Sequence, residues 1–478
     1  MAQPACFFRP RKHHRTPYQR ATYIRHGGKA RYASDRKRHE DCNDGSDINE
    51  WRKQGFGWSW LFCHSFVLLR CASRFPPLAN INILMQELSK EYADTEMFLM
   101  DLWPSYPSSI PIAGGPSILS FNSSDWNQWR SLLNPGFSAQ SLMNHVPFIV
   151  GSVQIFSDKL RASVGKGVFF LGDYATRLNF DVIMKVTLDS DINYQFHKHI
   201  LPTAVNTTTR WHSFWDPRIL MNQLRPVIQK YYGRKMESCI DKELHRQFQG
   251  LKAERKASDA ASGNSKRPLS VISLALESYI DQNKEKNILE TATLDRDFAR
   301  SNDTTSATIV FALHLMSKHS EACSQLRKEH DSVFGTDVSK TAKTLKAQPS
   351  LLNQCRYTLA FVKETLRIYP PGGNMRLGTL EATLLALNGK IHPTERLNIV
   401  LANQPIHMNP RIWVKPNEFL PERFLVEPGL GLYPPNGEFR PFDIGPRRCI
   451  GQELSLTEIR TVLIMTARVY DFNPEYEE

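Results

Sequence analysis

The stretch Phe439–Leu454, FRPFDIGPRRCIGQEL, constrains this chain most, because it sets one cysteine, Cys449, in a glycine-bracketed loop directly before an apparent helix. Gly445 and Gly451 let the backbone bend tightly and approach a flat ligand. Downstream, apolar residues recur at Ile450, Leu454, Ile459 and Leu463, and at Val462, Met465 and Val469, which predicts a helix from Ile450 to about Val469 with one buried face. Cys449 then sits at a helix N-terminus, where unpaired N–H groups and the dipole favour a thiolate able to bind a soft or borderline metal. A buried structural cysteine is the plainer alternative. Against it stands the order F-x-x-G-x-R-x-C-x-G formed by Phe442, Gly445, Arg447, Cys449 and Gly451, five fixed residues in ten.

That order resembles the haem-ligand signature of the cytochrome P-450 superfamily, the haem-thiolate monooxygenases. The resemblance implies that Cys449 is the axial ligand to haem b iron, donating electron density that favours O–O cleavage. It also implies that Phe442 packs near the ligand and that Arg447 faces a haem propionate. The implied fold is mainly α with a small β region, a single large domain.

Asp125–Phe137 places Trp126 and Arg130 four residues apart on one helical face, where an indole N–H and a guanidinium can bind one carboxylate together. A core tryptophan beside a surface arginine would look the same. With the following N-P-G-F-S, however, W-x-x-x-R resembles the family's propionate-binding helix, which makes both residues cofactor ligands by resemblance.

Asp303-Thr304-Thr305 opens a long apolar helix, Ser306 to about His319. An acid beside an alcohol can relay protons; equally, the pair can be an N-cap with a dipole-favoured Asp. The family pattern A/G-G-x-D/E-T-T makes Asp303 and Thr304 the catalytic proton-relay pair. Arg300 and Ser301 depart from it, standing where small residues are expected.

In Phe361–Pro371, Glu364 and Arg367 lie one turn apart among apolar neighbours, and a buried ion pair needs further hydrogen bonds to be tolerated. The pair resembles the family's E-x-x-R motif, and Phe419–Phe424 resembles P-E-R-F, whose Arg423 closes a structural triad. Arg376, after Pro370-Pro371-Gly372-Gly373, matches another propionate ligand. Beyond it, Thr383–Leu387 and Asn398–Ala402 read as short strands.

The remaining sequence divides simply. Residues 1–40 carry eleven Lys/Arg against Asp35 and Glu40, a large part of the net charge of +12. The chain is expected to comprise a basic, disordered extension over 1–75 and a haem-thiolate domain over 76–478. The basic arm suits an anionic membrane, nucleic acid or a targeting role, or is simply unstructured. Nucleic acid is not an expected partner, since the rest shows no recognition motif. Hydrophobic content of 41% supports a substantial core. Eight scattered cysteines without C-x-x-C suit a reducing compartment.

No stretch reaches the roughly eighteen apolar residues needed to span a bilayer; Trp58–Leu69 comes nearest. Ile81–Tyr92 reads as a helix and Glu96–Trp103 as a strand. Residues 138–250 read as mainly helical, with Leu160, Phe169, Phe170, Phe180, Ile183, Trp211, Phe214 and Trp215 as aromatic and aliphatic anchors. Lys252–Pro268 reads as an exposed loop, and Val271–Gln282 as a modest helix.

Four ordered motifs and their wording (W-R-S-L-L-N-P-G-F-S, C-I-G-Q-E-L) are similar to fungal enzymes that oxidise polyketide-type secondary metabolites. The resemblance implies insertion of one oxygen atom from O2 into a lipophilic small molecule, with NADPH electrons delivered by NADPH-cytochrome P-450 reductase. It implies the cytosolic face of the endoplasmic reticulum membrane, with a peripheral membrane contact; without a visible anchor, the cytoplasm is the alternative. Relative to that family the chain reads as shortened between 103 and 126 and at its C-terminus. A haem-binding but catalytically impaired paralogue, or an incomplete gene model, is therefore the second reading.

Overall fold

A computed structural model describes residues 87, 123–211, 222–260, 270–273, 302–385, 389, 391–394 and 398–475. Two compact units are distinguished, one drawn from 112–371 and 413–477, the other containing 372–412. The basic arm, Trp58–Leu69, Glu96–Trp103, Phe214, Trp215, Arg300 and Ser301 lie outside the described residues, and of the expected helix at 81–92 only Glu87 is described, as helical.

The first unit begins with α1 (Ser123–Leu133), α2 (Ala139–Met143), α3 (Val146–Ser163), α4 (Leu171–Leu188), α5 (Ile200–Trp211) and α6 (Arg225–Ala260). It continues with α7 (Asn302–Lys318), α8 (Ser320–Phe334), α9 (Thr341–Ala347) and α10 (Arg356–Ile368). The second unit has two antiparallel pairs. β1 (Asn374–Leu377) runs against β4 (Asn398–Leu401), with Arg376 opposite Ile399, and β2 (Thr383–Leu385) runs against β3 (Ile391–Pro393). A short α11 (Asn403–His407) follows, before the first unit resumes and ends with α12 (Gln452–Thr466). The architecture is mainly α with a small β region, as expected.

α12 lies at the centre of the first unit, packed by α3, α7 and α10. Every residue from Leu456 to Thr466 is buried, because the sequence surrounds this helix with aliphatic residues and with threonines that satisfy themselves. Thr461 and Thr466 each donate a hydroxyl to the carbonyl one turn back, at 2.7 Å, and so carry little polarity into the core. Arg460 donates to Leu456 O and Leu352 O. Glu458 differs: it is 1% exposed, and among the described residues neither carboxyl oxygen has a hydrogen-bond partner. Burial alone pushes its pKa up to about 8, so near neutrality it is a neutral acid.

α10 starts without a side-chain cap of its own. The missing acceptor comes from α8, where the Glu329 carboxylate accepts the backbone N–H of Tyr357 at 2.6 Å and of Thr358 at 2.8 Å, as well as the Thr358 hydroxyl at 2.6 Å. A negative charge there also suits the helix dipole. Glu329→Ala should therefore cost about 1–2 kcal/mol of stability, read as a lowered urea midpoint; an unchanged midpoint would show that water replaces the carboxylate.

Three local expectations are corrected. α6 continues through Lys252 to Ala260 instead of giving way to a loop, because Lys, Ala, Glu and Arg in KAERKASDA are good helix formers; residues 261–268 lie outside the described set. Phe169 and Phe170 are 38% and 51% exposed, not core anchors; they stand at the entry to α4, where Phe170 is the N-cap and Phe169 meets the Tyr174 ring edge-on at 5.4 Å. α12 begins at Gln452, not Ile450, since Cys449 and Ile450 belong to the turn before it. By contrast Leu160, Phe180 and Ile183 are buried, and Val271–Ser273, the described part of the expected 271–282 helix, is helical.

Candidate haem-thiolate site

The loop before α12 is set by its own backbone. Asp443 and Gly445 take positive φ values of 63° and 83°. The Asp443 side chain caps the turn by accepting Ile444 N–H at 2.8 Å, and glycine removes the steric cost at 445. The chain then returns, with Arg448 N–H donating to Gly445 O at 3.1 Å and Cys449 N–H to Phe442 O at 2.8 Å. Phe442 is half-buried against the core. Gly451 caps α12 at φ −84°, which any residue can adopt, so the bend does not require glycine there. A Cβ at 451 would meet no protein atom within 4 Å.

Cys449 is exposed by its accessible area, yet protein atoms surround it closely enough for desolvation to raise its pKa. Both hold for a thiol reached from one side only. The Gly451 N–H donated to its sulfur, and the nearby Arg130, pull in the opposite direction without winning. The expectation that the helix start favours the thiolate is thus corrected in direction: without a metal, the desolvation cost of the charge outweighs the Gly451 N–H and Arg130. A bound cationic metal would reverse that order, since a coordinating thiol is deprotonated outright.

α1 supplies the cationic side of the site. Trp126 is 9% exposed, and the Arg447 guanidinium lies over its ring, 4.5 Å from the centroid. Arg130, one turn along the same helix, is half-buried; burial lowers its pKa, Cys449 raises it and Arg448 lowers it. Arg130 thus feels both Cys449 and Arg448, while Arg447 lies over Trp126 on the same helix. Arg448 was not singled out from the sequence, although the Arg447-Arg448 pair was visible there.

Asp303 and Thr304 stand in the first turn of α7. Burial raises the Asp303 pKa, while Thr304 is exposed. Thr308 donates its hydroxyl to Thr304 O at 2.8 Å, and Ser306 donates to Asp303 O at 3.1 Å.

Behind the site, Glu364 and Arg367 on α10 form a two-pronged pair at 2.7 and 2.8 Å, both side chains fully buried. Arg423, on the short 3-10 turn Pro421–Phe424, adds a contact to Glu364 at 3.2 Å. The remaining donors find backbone oxygens. Arg367 reaches Pro416 O and Glu418 O, and Arg423 reaches Val414 O and Lys415 O. Leu420 N–H completes the carboxylate. This saturation is what lets three charges stay buried. Arg376 lies on β1 of the second unit.

The sequence model described as Cytochrome P450 matches residues 107–478. The chain belongs to the cytochrome P450 family. Cytochrome P450 monooxygenase polC of Polytolypa hystricis is 32% identical over 466 residues, covering 88% of this chain and 81% of polC. Cytochrome P450 monooxygenase acrF of Aspergillus aculeatus is 28% identical over 400 residues, 77% of this chain and 76% of acrF. Cytochrome P450 monooxygenase ptmG of Penicillium ochrochloron is 31% identical over 171 residues, 36% of this chain and 31% of ptmG. As a P450, the protein is a haem-thiolate monooxygenase, an oxidoreductase that incorporates oxygen, with haem and a cysteine thiolate as its cofactor centre and NADPH-derived electrons arriving through a reductase.

The residues at 442–451 fit that group. An accessible sulfur already accepts one N–H, Arg130 and Arg447 supply positive charge on the α1 side, and the Gly451 backbone leaves room for a flat ring. Among the described residues no helix is long and apolar enough to cross a membrane.

Proposed function

We propose that Cys449 is the thiolate that holds haem iron in this P450, and that the substrate is a lipophilic small molecule of fungal secondary metabolism, polyketide-type in character. The observation that carries the first part is the sulfur itself: solvent-reachable, fed by the Gly451 N–H and faced by Arg130. Trp126, Arg130 and Arg447 hold the propionates. Phe442 packs beside the sulfur, while Gly445 shapes the loop and Gly451 admits the macrocycle. Asp303, whose pKa burial raises, and Thr304 form the proton-relay pair. Glu364, Arg367 and Arg423 brace this side of the core. When bound, the haem supplies the oxygen chemistry; the chain's part is to bind, orient and deliver protons.

Similarity to polC and acrF supports the fungal setting. The redox partner is NADPH-cytochrome P-450 reductase, and the site of action is the cytosolic face of the endoplasmic reticulum, with a peripheral membrane contact. The test is to reconstitute the holoprotein with a fungal reductase and NADPH, and to screen lipophilic polyketides under 18O2. A product carrying one 18O atom is expected. NADPH consumption that yields only peroxide across the whole panel would contradict the substrate class.

A further inference from the structure

The first two turns of α7 carry the hydroxyls of Thr304, Thr305, Ser306 and Thr308, and the last three of these are not used alike. Ser306 and Thr308 donate back to carbonyls of their own helix, at Asp303 and Thr304, as helical Ser and Thr ordinarily do. Thr305 donates across to α12 instead, its Oγ1 3.1 Å from Ser455 Oγ. Thr305 is 8% exposed and Ser455 is half-buried, so the bond is shielded from competing water.

Both ends of this bond lie close to the proposed chemistry along the chain. Thr305 directly follows Asp303 and Thr304. Ser455 N–H donates to Gly451 O at 2.9 Å, and Gly451 N–H in turn reaches the Cys449 sulfur. Apolar packing between α7 and α12 is non-directional and tolerates small slides and rotations. A hydroxyl pair does not, because its strength depends on distance and angle. Pinning Thr305 to α12 also fixes the rotation of α7: Thr304 lies about 100° around the helix, off that seam and exposed.

We propose that the Thr305–Ser455 hydroxyl pair is a positioning contact that holds α7, and with it Asp303 and Thr304, in register with the turn carrying Cys449. The proposal rests on the assignment of Cys449 and of Asp303 and Thr304 given above. Neither Thr305 nor Ser455 touches the reacting atoms in this account. They act through the helices they join.

The test uses the haem-loaded full chain with carbon monoxide as probe, comparing Thr305→Val, Ser455→Ala, the double variant and Thr305→Ser. Each single removal should broaden or split the infrared C–O stretching band and change the CO dissociation constant about five-fold, the equivalent of one net hydrogen bond. In the double variant the change should stay about five-fold instead of multiplying to about 25-fold, because one shared bond is lost once. Thr305→Ser keeps the hydroxyl and should retain the unaltered band. If Thr305→Val fails to take up haem, Ser455→Ala and Thr305→Ser decide the matter between them. Unchanged bands in the single variants, or effects that multiply, overturn the positioning role while leaving Cys449 untouched. An unmodified protein lacking a thiolate-type Soret band overturns the ligand assignment, and this proposal with it.

Discussion

Glu364→Ala is expected to leave little folded protein. The carboxylate receives Arg367 twice, Arg423 once and the Leu420 N–H, with every charged partner fully buried. Removing it strands two guanidinium groups away from water. Burial already lowers the Arg423 pKa, with Glu364 the largest opposing influence. Breaking a buried pair in this way costs about 3–5 kcal/mol, against a total stability of about 5–15 kcal/mol. Soluble yield and haem incorporation should both collapse. Glu364→Gln keeps the acceptor oxygen without the charge and should fall between the two. A Glu364→Ala protein whose urea midpoint shows a loss below about 1 kcal/mol would mean that the backbone acceptors at 414–418 satisfy the arginines unaided.

Glu458→Gln is expected to flatten the pH dependence of stability. The folded state holds the acid up to about pH 8, whereas an unfolded glutamate titrates near 4.3. With the folded pKa raised, stability is greatest below the unfolded value, declines as pH rises between the two, and levels off above about 8. At roughly 1.4 kcal/mol per pH unit, the decline across that window is about 5 kcal/mol. Among the described residues no charged group enters this titration from any element packed against α12, whether α2, α3, α7, α9, α10 or the 3-10 turn Pro349–Gln354; burial is its cause. Glutamine removes the slope, so the stability gap in its favour should widen by about 5 kcal/mol from pH 4 to pH 8, read from urea midpoints. Parallel pH profiles would show that the carboxyl is ionised in place.

How much of this was legible in the sequence depends on how local each feature is. The Glu364–Arg367 pair could be read from one turn of helix among apolar residues, and Cys449 from ten residues of loop. Arg423 sits 56 residues beyond Arg367, and only the family resemblance connected them before the structure placed all three together. The Thr305–Ser455 bond joins positions 150 apart, and no periodicity announces it. Neither does any local signal mark Glu329 as the cap of α10, because the cap is borrowed from another helix.

Energetic balance was the hardest thing to read. The position of Cys449 beside a helix start was visible, but the extent of its desolvation was not, and desolvation reverses the expected direction of its pKa. No local signal in the sequence marks Glu458; the packing of α12 on several sides makes it a buried acid. The helical run through Lys252–Ala260 shows the converse case, where charged composition suggested a loop while the residues' own propensities sustained a helix.

The most direct measurement is the absorption spectrum of the reduced, CO-bound protein, taken for the unmodified chain and for Cys449→Ser. The unmodified chain should show the red-shifted Soret band of thiolate ligation, and the serine variant should lose it while still taking up haem. A thiolate-type band that survives in Cys449→Ser, or one missing from the unmodified chain, would contradict the account.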